Sequence, residues 1–170
     1  MMLVDQITTV SDVQQVLFGA GGDGVIGTAL DGDVDQVYHV ECFWLPPTTG
    51  GVLLSLDPNE AAANHLGNVA QATGTTSTLT YATDTSLTIA RTYGNSGKGA
   101  LIEAMFYAKS GVPRLCTAGQ THSQNATDLA VAAICSGIWS DTVANITSLA
   151  VRSSVAAGIK AGSVFRLYKR

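Results

Sequence analysis

The chain has 170 residues, of which 46% are hydrophobic and only 13% charged, and its formal net charge at pH 7 is −4. This length fits a single domain, and so apolar a composition excludes a disordered chain. The negative charge, with only Lys169 and Arg170 adjacent among scattered basic residues, argues against a surface that binds nucleic acid.

The first 35 residues are interpreted as an amino-terminal arm that carries one short helix. Met1–Asp5 lacks the basic and apolar segments of a signal peptide, and no apolar run approaches the ~20 residues that span a membrane, so no membrane partner is expected. Ser11 and Gln14 fit a capping box that begins a helix, and Gly19 fits its end. The Gly-rich segment 19–27 then leads towards the main domain, residues 36–170.

From Gln36 onward the hydrophobic pattern has a period of two, which predicts β-strands. The first strand ends before Pro46, and a nearly continuous apolar strand over 51–56 ends at the turn residues 57–59. Residues 61–74 lack strand-forming side chains, so a long loop is predicted there, with one helical turn as the alternative. Two Thr-rich strands are predicted over 77–83 and 86–93.

The second half of the chain continues the same pattern. Strands are predicted over 100–108, 112–118 and 129–138, with a polar loop over 119–127. Pro113 indicates an edge position for the second of these strands. Two short strands, 145–149 and 162–168, are predicted to form a closing hairpin.

These segments make about eight or nine strands, with turn signals between them and no βαβ spacing. The sequence therefore predicts an all-β domain: an antiparallel β-sandwich or jelly roll with a short amino-terminal helix or arm. The charged share is about half of the usual value. This indicates that part of the apolar surface faces another subunit.

Two glycine-rich motifs resemble nucleotide-binding loops only in their letters. Gly19–Gly24 matches the dinucleotide fingerprint, but it follows a predicted helix where that fingerprint needs a strand. Gly94–Gly99 contains Lys98, but it has Thr92 in place of the first glycine of a phosphate loop and no Ser or Thr after the lysine. No cofactor is predicted.

Asp31, Asp33 and Asp35 alternate like the first ligands of a calcium loop. Gln36 and Cys42 stand where an EF-hand needs Gly and Glu, so a solvated acidic turn is favoured, and a calcium site of another kind is the alternative.

The three histidines are too far apart in the sequence for zinc-ligand spacing: His39, His65 and His122. No Gly-x-Ser-x-Gly elbow selects a nucleophile, so no catalytic or metal-binding residue, and no enzyme, is predicted.

The cysteines, Cys42, Cys116 and Cys135, lack metal-ligand spacing and lie in apolar segments, which predicts buried reduced thiols made in a reducing cytoplasm. The aromatic residues are expected in the core or an interface, and a sugar-stacking platform is the alternative. These residues are Trp44, Tyr81, Tyr93, Tyr107 and Trp139.

The carboxyl-terminal residues carry a family resemblance. Ile146-Thr147-Ser148, followed by Gly162-Ser163 and Leu167-Tyr168, resembles the ending of small β-sandwich proteins from tailed-bacteriophage virions. Lys169 and Arg170 extend beyond the usual last residues of that pattern. The resemblance implies a virion protein, assembled in the host bacterial cytoplasm, that forms homotrimers and binds the major capsid protein or another virion protein.

The function predicted on this basis is that of a structural virion protein, a capsid decoration or cement protein that stabilises the phage head through protein–protein contacts. A short arm that orders on a neighbouring subunit would favour repeated sites on a capsid lattice. The alternative is a tail-associated module that binds a receptor or carbohydrate, with 139–141 and 93–95 as candidate contact loops.

Overall fold

The computed structural model describes residues 1–19, 21–48, 51–61, 65–73, 76–84, 86–92, 98–124 and 129–170. These residues form two antiparallel sheets, and the one helix among them is the short turn α1 (Gly32–Asp35). The predicted all-β antiparallel sandwich is therefore confirmed.

The larger sheet has eight strands. In spatial order they are β1 (Met2–Thr8), β12 (Val164–Lys169), β3 (Val37–Trp44), β8 (Ala100–Tyr107), β9 (Arg114–Gln124), β10 (Leu129–Trp139), β5 (His65–Thr73) and β6 (Thr76–Asp84). The smaller sheet has four strands, in the order β2 (Gln15–Gly19), β11 (Ser148–Ser153), β4 (Leu53–Pro58) and β7 (Thr88–Arg91).

The core follows from the period of two along the strands. On β3, Tyr38, Val40, Cys42 and Trp44 are all buried, and the residues between them are half-buried or exposed. The same alternation on β8 buries Ala100, Ile102, Ala104 and Phe106. The three cysteines are buried and free, which confirms their predicted burial. Burial raises the pKa of the Cys116 thiol to about 12, so this sulfur stays protonated at neutral pH.

The predicted amino-terminal helix is wrong. Gln15–Gly19 forms β2, which pairs with β11, and Val16 and Phe18 point into the core at a period of two. The apolar residues of this segment fit either a strand or one short turn of helix, and so short a helix has little stability of its own. Pairing with β11 supplies both the backbone hydrogen bonds and the core contacts.

The division between an arm and a main domain at residue 35 is wrong for the same reason. β1 pairs with β12 along the large sheet, and β2 pairs with β11 in the small sheet. Both strands therefore belong to the sandwich. Val4 and Ile7 of β1 are buried in the core.

Two predicted loops are strands in the structure. Residues 65–73 form β5, which pairs with β10 on one side and β6 on the other, and residues 119–124 continue β9. Partners on both sides satisfy the backbone of residues whose own strand propensity is low. The rest of the second predicted loop, 125–127, lies outside the described residues.

The closing strands do not form a hairpin. β11 lies in the small sheet and β12 in the large sheet, so the connection between them crosses from one layer to the other. The edge position predicted from Pro113 is also wrong. β9 lies between β8 and β10, so it is a central strand. It begins at Arg114, after Pro113, and the proline therefore removes no hydrogen bond from the sheet.

Candidate protein-binding face

The side of the large sheet that faces away from the small sheet, here called the outer face, is unusually apolar. Its central strands β3, β8, β9, β10 and β5 carry six large apolar side chains that are 43–70% exposed. They are Phe43, Leu66, Leu101, Met105, Leu115 and Ile134. Several large exposed apolar side chains on one face of a sheet are typical of a surface that another protein covers.

A groove of about 690 Å³ runs over the middle of the outer face. Its floor includes Gly119 of β9, and its walls include Leu101 and Met105 of β8 on one side and Ile134 of β10 on the other. A Cβ atom on Gly119 would meet no other atom within 4 Å, so the space above this residue is open. The groove exists because a residue without a side chain lies between two ridges.

Glu41, Glu103 and Arg166 are charged side chains of the outer face, and all three line one depression beside the groove. Glu103 of β8 lines the groove and lies directly opposite Glu41 of β3. Glu41 accepts a hydrogen bond of 3.0 Å from the Tyr168 hydroxyl and lies opposite Arg166 of β12. Within the described part of the chain, no hydrogen bond or ion pair reaches the carboxylate of Glu103.

The three aspartates of the candidate calcium loop do not converge. Asp31 caps α1 by accepting from the backbone N–H groups of Asp33 and Val34. Asp33 accepts from the N–H of Ser110 at 2.8 Å, and Asp35 accepts from the Lys169 ammonium group at 2.8 Å. Each carboxylate is thus used by a different part of the fold. Among the described residues, no group of three or more His, Cys, Asp or Glu side chains is arranged to hold a metal ion.

The three histidines lie on three different strands. His39 is half-buried on the outer face, where its ring lies 5.9 Å from that of Tyr168. His65 and His122 are buried, and burial lowers the pKa of each imidazole. The structure does not bring them together.

The glycine segment after β2 is a structural turn that carries negative charge. The carboxylate of Asp23 accepts from the Leu17 N–H at 2.9 Å, and the Asp23 N–H donates to the Leu17 carbonyl oxygen at 2.8 Å. A Cβ atom on Gly24 would lie 1.6 Å from the Asp5 carboxylate, so only glycine fits there. These carboxylates would repel a phosphate group. The other glycine motif lies outside the described residues from Gly94 to Gly97.

The tryptophans belong to the core, as expected. Trp44 is fully buried and its indole N–H donates to the carbonyl oxygen of Gly158 at 3.0 Å, and Trp139 is 2% exposed. Tyr107 is half-buried. Tyr93 and the side chain of Tyr81 lie outside the described residues. Neither tryptophan can therefore serve as a sugar-stacking platform.

A small polar depression of about 220 Å³ is lined by Asp57, His65 and Arg152 with several serines. Burial raises the pKa of the Asp57 carboxyl, although the Arg152 guanidinium, 3.3 Å away, opposes this effect. Arg152 also donates to the side-chain oxygen of Gln15 at 2.9 Å. Within the described residues, no hydrogen bond joins His65 to Asp57 or to a serine, so no nucleophile and base are paired here.

Sequence reasoning missed the groove because it predicted a loop from residue 119 onward. The signal was present: Leu115, Thr117, Gly119 and Thr121 alternate with residues of the core face. β9 and β10 are long strands that pair over their whole length. In a paired strand alternate side chains point to opposite faces, so these four residues of β9 face outward.

No protein-family model matches this sequence, and no curated protein is similar to it. Among solved structures, the Clostridium perfringens CspB protease has 9% identity and a TM-score of 0.27, over 98% of this chain and 25% of the protease chain. The chain thus spans about a quarter of the protease. Ail, the attachment invasion locus protein of Yersinia pestis, has 7% identity and a TM-score of 0.21, over 69% of this chain and 98% of Ail. Neither likeness is close enough to support an inference.

The described residues also contain no helix that is long and apolar enough to cross a membrane.

Proposed function

We propose that this protein is a non-enzymatic structural subunit of a bacteriophage virion, a capsid decoration or cement protein that attaches through its outer face. The observation that carries this proposal is the cluster of six large apolar side chains, 43–70% exposed, on the central strands of one sheet. A sheet face is rigid, so docking costs little conformational entropy. The resemblance of the carboxyl-terminal residues to virion sandwich proteins supports the location.

The outer face takes over the docking role that the sequence alone assigned to an amino-terminal arm. Because β1 and β2 are paired in the sheets, residues 1–19 contribute to the sandwich and are not available as a separate strap. A modest contact through the outer face, repeated over a lattice, would gain strength if several copies were linked. We therefore also propose a closed homo-oligomer, and the family resemblance implies a trimer.

The experiment that tests the role is a measurement of copy number on purified particles by gel densitometry. A decoration protein is expected at an abundance comparable with that of the major shell protein. A handful of copies per particle would move the assignment to the tail, where the receptor- or carbohydrate-binding alternative applies. Absence from the particle would overturn the virion assignment.

The docking surface is tested by Ile134→Asp, which places a charge on a residue that is 70% exposed at the groove wall. We expect this variant to fold and to lose particle binding, because it replaces an apolar contact at the groove wall with a polar group that has to be desolvated in the interface. Val10→Asp is the matched control, since Val10 is 93% exposed and lies outside the outer face. Equal binding by both variants would refute the outer face as the docking surface.

The oligomer is tested by sedimentation equilibrium of the pure protein. The expected result is a trimer at micromolar concentration, as the family resemblance implies. A monomer under these conditions would contradict the oligomer proposal.

A further inference from the structure

We infer that the outer face binds an extended segment of its partner protein in which one Lys or Arg stands between two apolar residues at alternate positions. This inference rests on the proposed docking role of the outer face and specifies the chemistry of the partner.

The outward side chains of β8 alternate in chemical character. Leu101, Glu103 and Met105 all point outward, so this wall of the groove displays an apolar, an acidic and an apolar residue in turn. Alternate residues of a strand lie about 6.8 Å apart. A partner strand with an apolar–basic–apolar pattern would match both the spacing and the charge.

Glu103 lies between a like charge on one neighbouring strand and an open space on the other. On β3 it faces Glu41, and two like charges directly opposite each other destabilise a sheet. On the other side it faces Gly119, above which the space is open. A cationic side chain that enters this space would meet the carboxylate of Glu103 and relieve the repulsion. No Lys or Arg stands among the described residues that line the groove itself. Arg166, which lines the adjoining depression with Glu103, lies opposite Glu41 on the far side of the pair, so a cation above Gly119 would come from the partner.

A second copy of the same face, packed with its axis at Gly119, fits the groove poorly. Glu103 and Ile134 lie on either side of Gly119, at the same level of the sheet. If two outer faces packed together about a two-fold axis at Gly119, Glu103 would face either Ile134 or its own counterpart. The first arrangement buries a charge against an apolar group, and the second brings like charges together.

The width of the groove selects an extended segment. Its walls belong to β8 and β10, the two neighbours of β9, and are therefore about 9.6 Å apart, which is two strand spacings. A helix with its side chains is about 10–12 Å wide and would rest on the walls without reaching the floor. An extended chain can lower alternate side chains towards Gly119.

The test uses the full chain, labelled with ¹⁵N, and three synthetic heptapeptide amides as probes. The peptides are Thr-Ile-Thr-Lys-Thr-Ile-Thr and the versions with Glu or Ser in place of the lysine. The lysine peptide is expected to shift the amide signals of β8, β9 and β10 and to bind at least tenfold more tightly than the glutamate peptide. Glu103→Lys should reverse this preference, whereas Glu60→Lys, an exposed charge reversal away from the outer face, should leave it unchanged.

Equal binding of the three peptides, shifts confined to other strands, no binding at millimolar concentration or an unchanged preference in Glu103→Lys would each overturn the inference. The peptide experiment and the particle experiments can fail independently of each other. If Ile134→Asp loses particle binding but the three peptides bind equally well, only the inference of a basic partner segment is refuted. If the protein prefers the lysine peptide but is absent from purified particles, only the virion role is refuted.

Discussion

At the scale of single residues, the buried guanidinium of Arg114 organises the loop that follows β10. It donates to the carbonyl oxygen of Asp141 at 2.8 Å and to that of Ala144, and it lies 4.8 Å from the centre of the Trp139 ring. Val143 and Ala144 in turn donate their N–H groups to the Asp141 carboxylate. One fully buried cation thus satisfies carbonyl groups that would otherwise lack partners.

Replacing Arg114 with Met should lower the free energy of unfolding by at least about 3 kcal/mol, because hydrogen bonds to a charged group contribute about 1.5–3 kcal/mol each. The measurement is urea denaturation followed by tryptophan fluorescence. Arg166→Met serves as the control, since Arg166 is exposed and its guanidinium donates to the Gln6 side chain at the surface. A similar decrease in the free energy of unfolding in both variants would show that the buried hydrogen bonds stabilise the fold no more than the surface one.

Asp35 links α1 to the end of β12 and makes the stability depend on pH. Burial acts to raise the pKa of this carboxyl, but hydrogen bonds from Lys169, from the Tyr38 hydroxyl and from the Asp31 backbone outweigh it, and the pKa is lowered. A carboxyl whose folded pKa is below its unfolded value of about 3.9 stabilises the fold above that pH. This contribution is lost as the pH falls through the folded pKa.

The variant Asp35→Asn cannot ionise, so its deficit against the wild type should be largest at pH 7 and should shrink as the pH falls from about 5 to 3. Urea denaturation of both proteins at pH 7, 5 and 3 measures the difference. Because the other lowered carboxylates, among them Asp33, are present in both proteins, their effects cancel. A deficit that stays constant over this range would contradict the role assigned to Asp35.

At the scale of elements, three edge strands are covered by polar groups. The Asp23 residue caps β2 at Leu17, and the side-chain amide of Gln120 bonds both the N–H and the carbonyl oxygen of Arg91 on β7, at 2.8 and 2.9 Å. Beside β1, the Asp5 carboxylate accepts from the N–H of Ile26 at 2.8 Å. Covered edges cannot pair with the strands of other molecules.

Removing one of these caps should promote self-association. Asp23→Ala leaves the N–H group of Leu17 without its carboxylate partner at the edge of the small sheet, whereas the backbone N–H of residue 23 still donates to the Leu17 carbonyl oxygen. We expect the variant to fold and to aggregate more quickly on mild heating, as measured by light scattering. Asp23→Asn removes the same negative charge but keeps a side-chain oxygen that can accept from the Leu17 N–H group, so it should scatter like the wild type. Equal scattering of the two variants would show that net charge, and not the cap, controls association.

At the scale of the whole molecule, both ends of the chain are part of the same sheet. β12 lies between β1 and β3, and its Phe165 and Leu167 are fully buried. Deleting residues 162–170 should therefore prevent folding, since each large buried side chain contributes about 1.5–3 kcal/mol and the net stability of a domain is only about 5–15 kcal/mol.

The structure also changes the expectation for the amino terminus. An arm would leave a folded sandwich after deletion of residues 1–27, but this deletion removes β1 and β2 together with the buried Phe18. We expect the truncated chain to be unfolded or insoluble, as shown by far-ultraviolet circular dichroism. A cooperative, fully β spectrum from this variant would contradict the paired strands.

Much of the strand content follows from local pattern, because a period of two on Tyr38–Trp44 and on Ala100–Phe106 leaves one face for the core. The groove could not be predicted in this way. Gly119 has low strand propensity, and only pairing with β8 and β10 makes it part of a strand. The partners of Asp31, Asp33 and Asp35 also come from distant parts of the chain, such as Asn145, Ser110 and Lys169.

The sequence by itself determined the all-β class, the burial of the cysteines and tryptophans and the low surface charge, because composition and alternation act locally. The tertiary structure alone decided which strands share a sheet, and so placed β11 and β12 in different layers and made the first 19 residues part of the sandwich. It also created the outer face, whose groove lies over three strands that meet only after pairing. The physical reason is that backbone hydrogen bonds between strands join residues distant in the chain, and one sequence cannot show which partners satisfy them.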